Sequence, residues 1–257
     1  MAPAAIIKPD ADRELRELRE YLGDEYDEAK LRRYEQTVVE EFREVGDEQS
    51  FYRTSQGYLY DLTAFAASGT KHPYLERLTE VVPPPARVLD YGCGIGSDGL
   101  LLLEAGYRVE FADFDNPSVA YLRWRLERRG FDAPIHDLDR GEVPEGFDAA
   151  YSFDVIEHVP DAFAFLSELE SRARLVEVNL LEFDPNEQAL HYPLPLGRLL
   201  LHAAARGLEH YRICHGSSHV IAYGPTRVGP ARRVRNLGGL ARVQTRRALS
   251  RARARFR

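Results

Sequence analysis

Between residues 87 and 223, short apolar segments alternate with longer amphipathic segments that carry helix start and stop signals. Parallel neighbouring strands need crossover connections, and helices are the usual form of such a connection. The pattern therefore predicts an α/β fold with a mostly parallel, doubly wound sheet of seven strands. No helix pattern separates the last two strands, so they are expected to form a C-terminal antiparallel hairpin. The predicted strands are 87–90, 108–113, 133–136, 147–153, 175–181, 209–214 and 219–223.

Helix boundaries are predicted from capping residues and glycine stops. Asn116 and Pro117 occupy the preferred cap and first-turn positions of a helix that Gly130 ends. Ser97 or Asp98 is expected to cap the helix that follows the first strand. The other helices of this region are predicted at 98–105, 161–171 and 194–206, the last closed by Gly207.

The first 82 residues lack the strand–helix alternation. Residues 12–45 predict two amphipathic helices broken near Gly23, and residues 72–82 predict a helix that prolines 83–85 stop. The aromatic-rich segment 51–65 predicts a mixture of loop and helix. We therefore predict three regions. These are an N-terminal helical appendage or lid (1–82), the α/β domain (83–230) and an Arg-rich C-terminal tail (231–257).

Charge is distributed unevenly along the chain. The formal net charge is −7, but residues 231–257 contain ten arginines and no acidic residue; subtracting these ten charges leaves −17 for the first 230 residues. An acidic body argues against nucleic acid as a partner of the folded domain, because phosphate binding needs a positive face. Since blocks of like charge tend to stay unfolded, the tail is expected to be solvated and mobile. The alternative is a tail that binds RNA or an anionic membrane.

Composition also bears on cellular location. No apolar run approaches the roughly 20 residues that span a bilayer, and Ile6 and Ile7 are an isolated apolar pair without a signal-peptide pattern. The two cysteines, Cys93 and Cys214, indicate neither a disulfide framework nor a metal site. The sequence predicts a cytoplasmic protein without a transmembrane segment or metal, and it is compatible with a homodimer.

A glycine-rich turn follows the first predicted strand. Gly92, Gly94 and Gly96 alternate with other residues there, and glycine lets a backbone approach a ligand closely. In open α/β sheets, ligands lie beyond the carboxyl ends of the strands. Asp90, at the tip of this strand, can brace the turn and attract an ammonium group. A dinucleotide site is the obvious rival, because a glycine-rich turn alone is weakly specific.

Acidic residues also follow the next two strands. Asp113 ends the second strand, where a carboxylate can accept hydrogen bonds from ribose hydroxyls, and Phe114 can lie against an adenine ring. Asp137 follows the third strand, on the side expected for the adenine amino group. The turn runs Gly-x-Gly-x-Gly and not Gly-x-Gly-x-x-Gly, which argues against a nicotinamide cofactor. Together these acids predict an adenosine pocket.

Four segments carry a family resemblance: VLDYGCGIG (88–96), VEFADFD (109–115), HDLD (136–139) and FDAAYSFDVIEHVPD (147–161). Over about residues 75–223 the chain resembles the class I S-adenosylmethionine-dependent methyltransferases, which have a Rossmann-like fold. The resemblance implies S-adenosyl-L-methionine as cofactor. Its implied binding residues are Asp90, Gly92, Cys93, Gly94, Gly96, Asp113, Phe114, Asp137, Leu138, Ser152 and Phe153, joined by Arg53 and Tyr58 from the appendage.

Methyl transfer from a sulfonium depends mainly on alignment, and a base is needed only if the acceptor must lose a proton. The preferred candidates for that base are His158 and His191. His158 is also interpreted as a structural residue of the cofactor loop, and His191 as a helix cap. Further candidates are Glu157, His215 and His219.

The sequence leaves three functions open. The leading one is methylation of oxygen or nitrogen in a small-molecule metabolite, with the appendage covering the acceptor. The second is a methyltransferase that acts on RNA or a membrane lipid, as the Arg-rich tail suggests. The third is a noncatalytic S-adenosylmethionine-binding protein, because no compelling base is present.

Overall fold

The computed structural model of the protein describes residues 8–182 and 191–255. Its seven strands are β1 (Arg87–Tyr91), β2 (Arg108–Asp113), β3 (Ile135–Asp137), β4 (Ala149–Ser152), β5 (Val176–Leu181), β6 (Gly207–Cys214) and β7 (Ser218–Gly224). They form one sheet in the order β3-β2-β1-β4-β5-β7-β6. β7 runs antiparallel to both β5 and β6. The predicted α/β fold, the mostly parallel seven-stranded sheet and the C-terminal antiparallel hairpin are therefore confirmed.

Helices connect these strands and fill the N-terminal region. They are α1 (Ala11–Leu22), α2 (Glu28–Arg32), α3 (Tyr34–Val45), α4 (Glu48–Thr54), α5 (Gly57–Ser68), α6 (His72–Val81), α7 (Ser97–Glu104), α8 (Pro117–Arg129), α9 (Ala162–Arg172), α10 (Leu196–Ala204) and α11 (Pro230–Arg255). Short 3₁₀ turns occur at Gly23–Glu25 and Ile156–His158. Among the described helices, none combines the length and the apolar character needed to span a bilayer.

Local chemistry explains most of the helix boundaries. The Asn116 side chain accepts a hydrogen bond from the Val119 amide at the start of α8, and Gly130 ends this helix with a left-handed backbone (φ 71°). Both predicted boundaries of α8 are confirmed. At α1, Asp10 caps the first turn through the Arg13 amide, and the break near Gly23 is also confirmed.

Three predicted boundaries are wrong. Gly96, with φ 69°, is the cap residue of α7, and Ser97 instead donates from its hydroxyl to Glu14. The second N-terminal helix is divided into α2 and α3, because the backbone leaves the helical region at Arg33 (φ −120°). Gly207 is the first residue of β6 and not a helix stop, since α10 ends at Ala204.

The expectation of an unfolded, solvated tail is also wrong. Residues 230–255 form the 26-residue helix α11, while residues 256–257 lie outside the described residues. Its Leu240 side chain is buried, and Asn236 donates to the backbone oxygens of Ala204 and Arg206 at 3.0 and 3.1 Å. Asn236 thereby satisfies the Ala204 carbonyl, which the end of α10 leaves without a helical partner. Tertiary packing on one face holds the helix despite its charge.

The chain divides into two compact units, Met1–Pro144 and Glu145–Arg257. In the first unit, β1, β2 and β3 pair in parallel, with Val88 opposite Val109 and Asp113 opposite Asp137. In the second unit, β5 lies between β4 and β7. Both strand sets are rich in fully buried aliphatic and aromatic side chains, as expected for strands covered on both faces.

A buried ion cluster joins α1 to α8 in the first unit. Arg125 is fully buried; its guanidinium donates to Glu17 at 2.9 Å and to Glu14 at 2.5 Å. A third nitrogen contact reaches the Ile95 backbone oxygen in the glycine-rich turn at 2.9 Å. Arg129 bonds the same two glutamates from the next turn of α8. The N-terminal helix is thus fixed to the turn that follows β1.

Candidate functional site

The glycine-rich turn after β1 uses backbone conformations that favour glycine. Gly92, Gly94 and Gly96 have φ angles of 74°, 52° and 69°. The Gly92 amide donates to the Ala112 oxygen of β2 at 2.8 Å, which holds the start of the turn against the neighbouring strand. A Cβ on Gly96 would lie 2.3 Å from a methyl carbon of Leu122. The turn therefore requires glycine both for its conformation and for its close approach to α8.

Asp113 closes the turn from the end of β2. Its carboxylate accepts hydrogen bonds from the backbone amides of Gly94 and Phe114, each at 2.7 Å. Burial raises the pKa of Asp113 to about 6, against the opposing effect of these two hydrogen bonds. A carboxylate has about four lone-pair positions, so two remain for hydroxyl donors of a ligand. The carboxylate is thus held in place and can still accept bonds.

Asp137 lies beside this group because β3 pairs with β2. Asp113 and Asp137 are register partners, and the Leu138 amide donates to the Asp113 backbone oxygen at 3.0 Å. The Asp137 carboxylate accepts from the Asp139 amide at 2.9 Å and lies 3.4 Å from the Arg140 guanidinium. The structure therefore brings together Asp113, Asp137 and Leu138, three of the residues expected to bind adenosine.

Arg53 reaches this edge from α4. Its guanidinium forms a two-pronged ion pair with Asp139, with one nitrogen–oxygen distance of 2.8 Å, and its central carbon lies 4.6 Å from the centre of the Phe114 ring. Sequence reasoning missed Asp139, although the second acid of the HDLD segment could have indicated it. Arg53 is therefore paired with a carboxylate of its own chain, and its expected role in cofactor binding stays a prediction.

Tyr58 belongs to an aromatic cluster at the start of α5. Its ring centre lies 5.8 Å from Phe51 and 5.2 Å from Tyr52, in edge-to-face arrangements. On the same helix, Leu62 approaches the glycine-rich turn: a Cβ on Gly94 would lie 3.2 Å from its methyl carbon. Leu62 was not predicted, because one leucine among the apolar residues of a helix carries no distinguishing signal. Helix α5 therefore packs directly on the turn.

The Cys93 thiol in the turn is electrostatically unfavourable as a nucleophile. Desolvation raises its pKa well above the usual value, and the negative charges of Asp113 and Asp90 raise it further. The thiol is therefore neutral at physiological pH, whereas nucleophilic cysteines act as thiolates. Asp90 is itself buried at the end of β1, and Gly99 leaves room for it: a Cβ there would lie 3.0 Å from an Asp90 carboxylate oxygen.

In the second unit, Ser152 and Phe153 lie at the end of β4 and are buried. The next residue, Asp154, has φ 57°, and its amide donates to the Asn179 side chain at 2.7 Å. Asn179 returns a hydrogen bond from its own amide to the Asp154 carboxylate at 2.6 Å and another to Ser218 at 3.2 Å. Asn179 was also missed, although one amide within the apolar segment 176–181 was an available signal. This network fixes the loop after β4.

The two histidines preferred as bases lie together in the second unit. The ring centres of His158 and His191 are 4.8 Å apart, and the ring planes meet at 63° in an edge-on arrangement. The Tyr192 amide donates to the Glu157 backbone oxygen at 2.7 Å, which joins the two segments. Sequence spacing did not reveal this pairing, because 33 positions separate the histidines.

The other two candidate histidines lie in the hairpin that β6 and β7 form. His219 is fully buried; its nitrogens contact the Tyr211 hydroxyl at 2.7 Å and Glu182 at 3.0 Å. His215 occupies the turn itself with φ 50°. The contacts of His219 support a structural role within the hairpin.

Comparison with known families agrees with the fold and the turn. A seven-stranded sheet of this order, with a glycine-rich turn after β1 and acids after β2 and β3, defines the architecture of a nucleoside-binding α/β protein. The model of a family described as a methyltransferase domain matches residues 63–215, which is more than half of the chain. The chain belongs to this methyltransferase family, and the predicted membership of the class I methyltransferases is confirmed.

Individual relatives are more distant. The ubiquinone biosynthesis O-methyltransferase of Paramagnetospirillum magneticum (strain ATCC 700264 / AMB-1) is 33% identical over 89 residues; the match spans 34% of this chain and only 36% of that protein. Magnesium protoporphyrin IX methyltransferase from Synechocystis PCC 6803 has a similar fold (TM-score 0.53, 16% identity, 80% and 97% of the two chains). So does the PH0226 protein from Pyrococcus horikoshii OT3 (TM-score 0.52, 17% identity, 67% and 93%).

Proposed function

We propose that this protein transfers a methyl group from S-adenosylmethionine to oxygen or nitrogen of a small-molecule metabolite in the cytoplasm. Membership of the methyltransferase family supports the reaction. The name of the relative from Paramagnetospirillum magneticum, a ubiquinone biosynthesis O-methyltransferase, supports a small acceptor with a reactive oxygen.

The position of Asp113 is the observation that carries the cofactor assignment. Two backbone amides hold its carboxylate beside the glycine-rich turn. About two lone-pair positions of the carboxylate remain available to accept hydrogen bonds from a ligand. Paired hydroxyls of a ribose are the natural donors for two remaining lone pairs. Asp137 and the Leu138 backbone lie beside it, where a purine can be recognised by its edge. The residues of the first unit therefore fit the adenosine part of S-adenosylmethionine.

The cofactor supplies a methyl group that is already activated by the positive charge on sulfur. The protein then has to hold the acceptor in line and exclude water. The half-buried rings of Tyr52 on α4 and Tyr58 on α5, which pack on each other and on the buried Phe51, are suited to cover an acceptor. Substrate pockets are usually lined by such side chains.

An oxygen acceptor also has to lose a proton. We assign this step to the His158–His191 pair, because histidine has an ordinary pKa near neutral pH and the two rings are in contact. One ring can accept the proton while the other fixes its orientation.

Calorimetry tests the cofactor assignment. S-adenosylhomocysteine should bind the wild-type protein, and Asp113→Asn should weaken binding about 10- to 100-fold, as expected for loss of a charged hydrogen-bond acceptor. Asp115→Asn is the matched control, because Asp115 is an exposed acid two positions away that pairs with Arg123. Unchanged affinity of Asp113→Asn, or equal losses in both variants, would contradict the assignment.

Methyl transfer is tested with a donor labelled in its methyl group. After incubation with a metabolite extract, label should appear in a low-molecular-weight product, and mass spectrometry of that product distinguishes an oxygen from a nitrogen acceptor. Label that stays entirely in the donor would argue for a noncatalytic binding protein. Transfer only to RNA or to membrane lipid would replace the small-molecule proposal.

A further inference from the structure

Helix α11 is fixed to the second unit by one face. Asn236 and Leu240 are buried, and Gln244 donates from its side-chain amide to the Tyr211 hydroxyl of β6. One turn further on, Arg247 forms a two-pronged ion pair with Glu182 and also donates to the Gly216 oxygen. These residues recur every three or four positions and therefore share one side of the helix. The opposite side is held in a defined orientation.

That opposite side carries a row of arginines. Arg235, Arg242 and Arg246 are all exposed, and their spacing of seven and four positions places them within a narrow strip about 16 Å long. Within the described part of the chain, none of the three has an ion-pair partner, whereas Arg232 pairs with Glu209. We refer to Arg235, Arg242 and Arg246 as the arginine row.

Exposed apolar side chains lie on the same outer surface as the arginine row. Val234 is 69% exposed and Leu249 is 55% exposed. Leu249 follows Arg242 by seven positions and therefore continues the line of the arginine row, whereas Val234 and the exposed Ala241 lie about a quarter turn to one side of it. Large apolar side chains with such exposure are otherwise scarce in the described residues. We refer to Val234, Ala241 and Leu249 as the apolar row. The outer surface of α11 thus presents exposed arginines and exposed apolar side chains together.

We propose that this outer surface binds an anionic lipid bilayer, with α11 lying parallel to the membrane plane. An interfacial helix buries its apolar side chains among acyl chains, while its arginines remain at the level of the lipid phosphates. The arginine row supplies the charge and the apolar row supplies the insertion. Phosphates of RNA would neutralise the arginine row equally well, but they would leave the apolar row exposed to water. The two rows together therefore favour a lipid surface.

Flotation with vesicles tests this proposal on the full chain. The wild-type protein should bind vesicles that contain about one third phosphatidylglycerol, bind pure phosphatidylcholine weakly, and dissociate as salt is raised. Each basic residue near an anionic surface contributes about 1 kcal/mol to the free energy of membrane binding. The partition coefficient should therefore fall about 100-fold when the row is removed by the combined substitutions Arg235→Gln, Arg242→Gln and Arg246→Gln. A combined Arg16→Gln, Arg32→Gln and Arg43→Gln variant removes the same charge from exposed positions elsewhere and should keep wild-type binding.

The apolar row provides a second, independent test. Val234→Ser with Leu249→Ser should weaken vesicle binding at high salt more than at low salt, because salt screens only the charge contribution. Circular dichroism should show unchanged helix content, since all substituted side chains are exposed. Equal loss of binding in the arginine-row variant and its control would overturn the proposal. So would binding to a single-stranded RNA without binding to anionic vesicles.

Discussion

Replacement of Arg125 by methionine tests how the N-terminal helix is attached. Methionine keeps much of the apolar stem but removes the donors to Glu14, Glu17 and the Ile95 oxygen. Breaking a buried ion pair by removing one partner typically costs about 3–5 kcal/mol. Because Arg129 still donates hydrogen bonds to both glutamates, we expect the lower end of this energy range. We expect the free energy of unfolding to fall by about 3 kcal/mol, which lowers the melting temperature by about 6–12 °C.

The assay is urea unfolding followed by the fluorescence of Trp124, the only tryptophan in the chain. Trp124 precedes Arg125 on α8, and its ring lies 5.6 Å from Tyr21 of α1, so its emission reports this helix pair. The control is Arg128→Met, which removes an exposed ion pair with Glu20. Exposed pairs contribute at most about 1 kcal/mol.

Two further measurements distinguish destabilisation by the loss of ion-pair interactions from destabilisation by the loss of packing. Adding Glu17→Gln to Arg125→Met should recover part of the loss, because it removes a buried charge that has lost a partner. Lowering the pH should also narrow the difference in the free energy of unfolding between wild type and Arg125→Met. Burial raises the pKa of Glu17, but its interactions with Arg129 and Arg125 outweigh this and lower it. The stabilisation is therefore present above the ordinary pKa of 4.5 and is lost as pH falls through the lower, folded value. Two results would refute the reasoning. One is a decrease in the free energy of unfolding of less than about 1 kcal/mol in Arg125→Met, and the other is a difference from wild type that does not change in acid.

Other predictions concern the site and α11. Because the pKa of Asp113 is raised to about 6, affinity for S-adenosylhomocysteine should fall about tenfold per pH unit below 6, and Asp113→Asn should lose this dependence in calorimetry. For an oxygen acceptor, His158→Gln should lower kcat about 100-fold or more in the labelled-methyl assay and leave S-adenosylhomocysteine affinity unchanged; equal kcat would exclude His158 as the base. Gly238→Ala and Gly239→Ala should each raise stability by about 0.5–1 kcal/mol in urea unfolding, because a Cβ meets nothing within 4 Å at either position and glycine disfavours helix.

The sequence predicted the sheet well because its signals are local. Alternation of short apolar segments and capped helices depends on residues a few positions apart, and the seven strands with their C-terminal antiparallel pair followed from it. The order of the strands within the sheet was not predicted. The acids at the ends of β2 and β3 were predicted for the same reason: each is the last residue of its strand. Their assignment to cofactor binding is still a prediction that the Asp113 variants address.

Contacts between distant segments escaped sequence reasoning. The ion pair of Arg53 with Asp139 spans 86 positions, and the bond between Arg125 and Glu17 spans 108. Exposed and buried arginines look alike in a sequence, so neither pairing had a signal of its own. The same limitation explains the wrong expectation for α11: composition showed ten like charges, but only the packed structure shows the narrow buried side of this helix.

The distribution of cysteine gives the molecule a built-in probe of local opening. Cys93 lies in one compact unit and Cys214 in the other, and these are the only two thiols in the chain. Desolvation raises the pKa of both, so each reacts slowly with thiol reagents while its surroundings remain closed. A pair of single-cysteine variants, each labelled over time, would measure how often each unit opens. Ligands added during labelling would then show which of the two they protect.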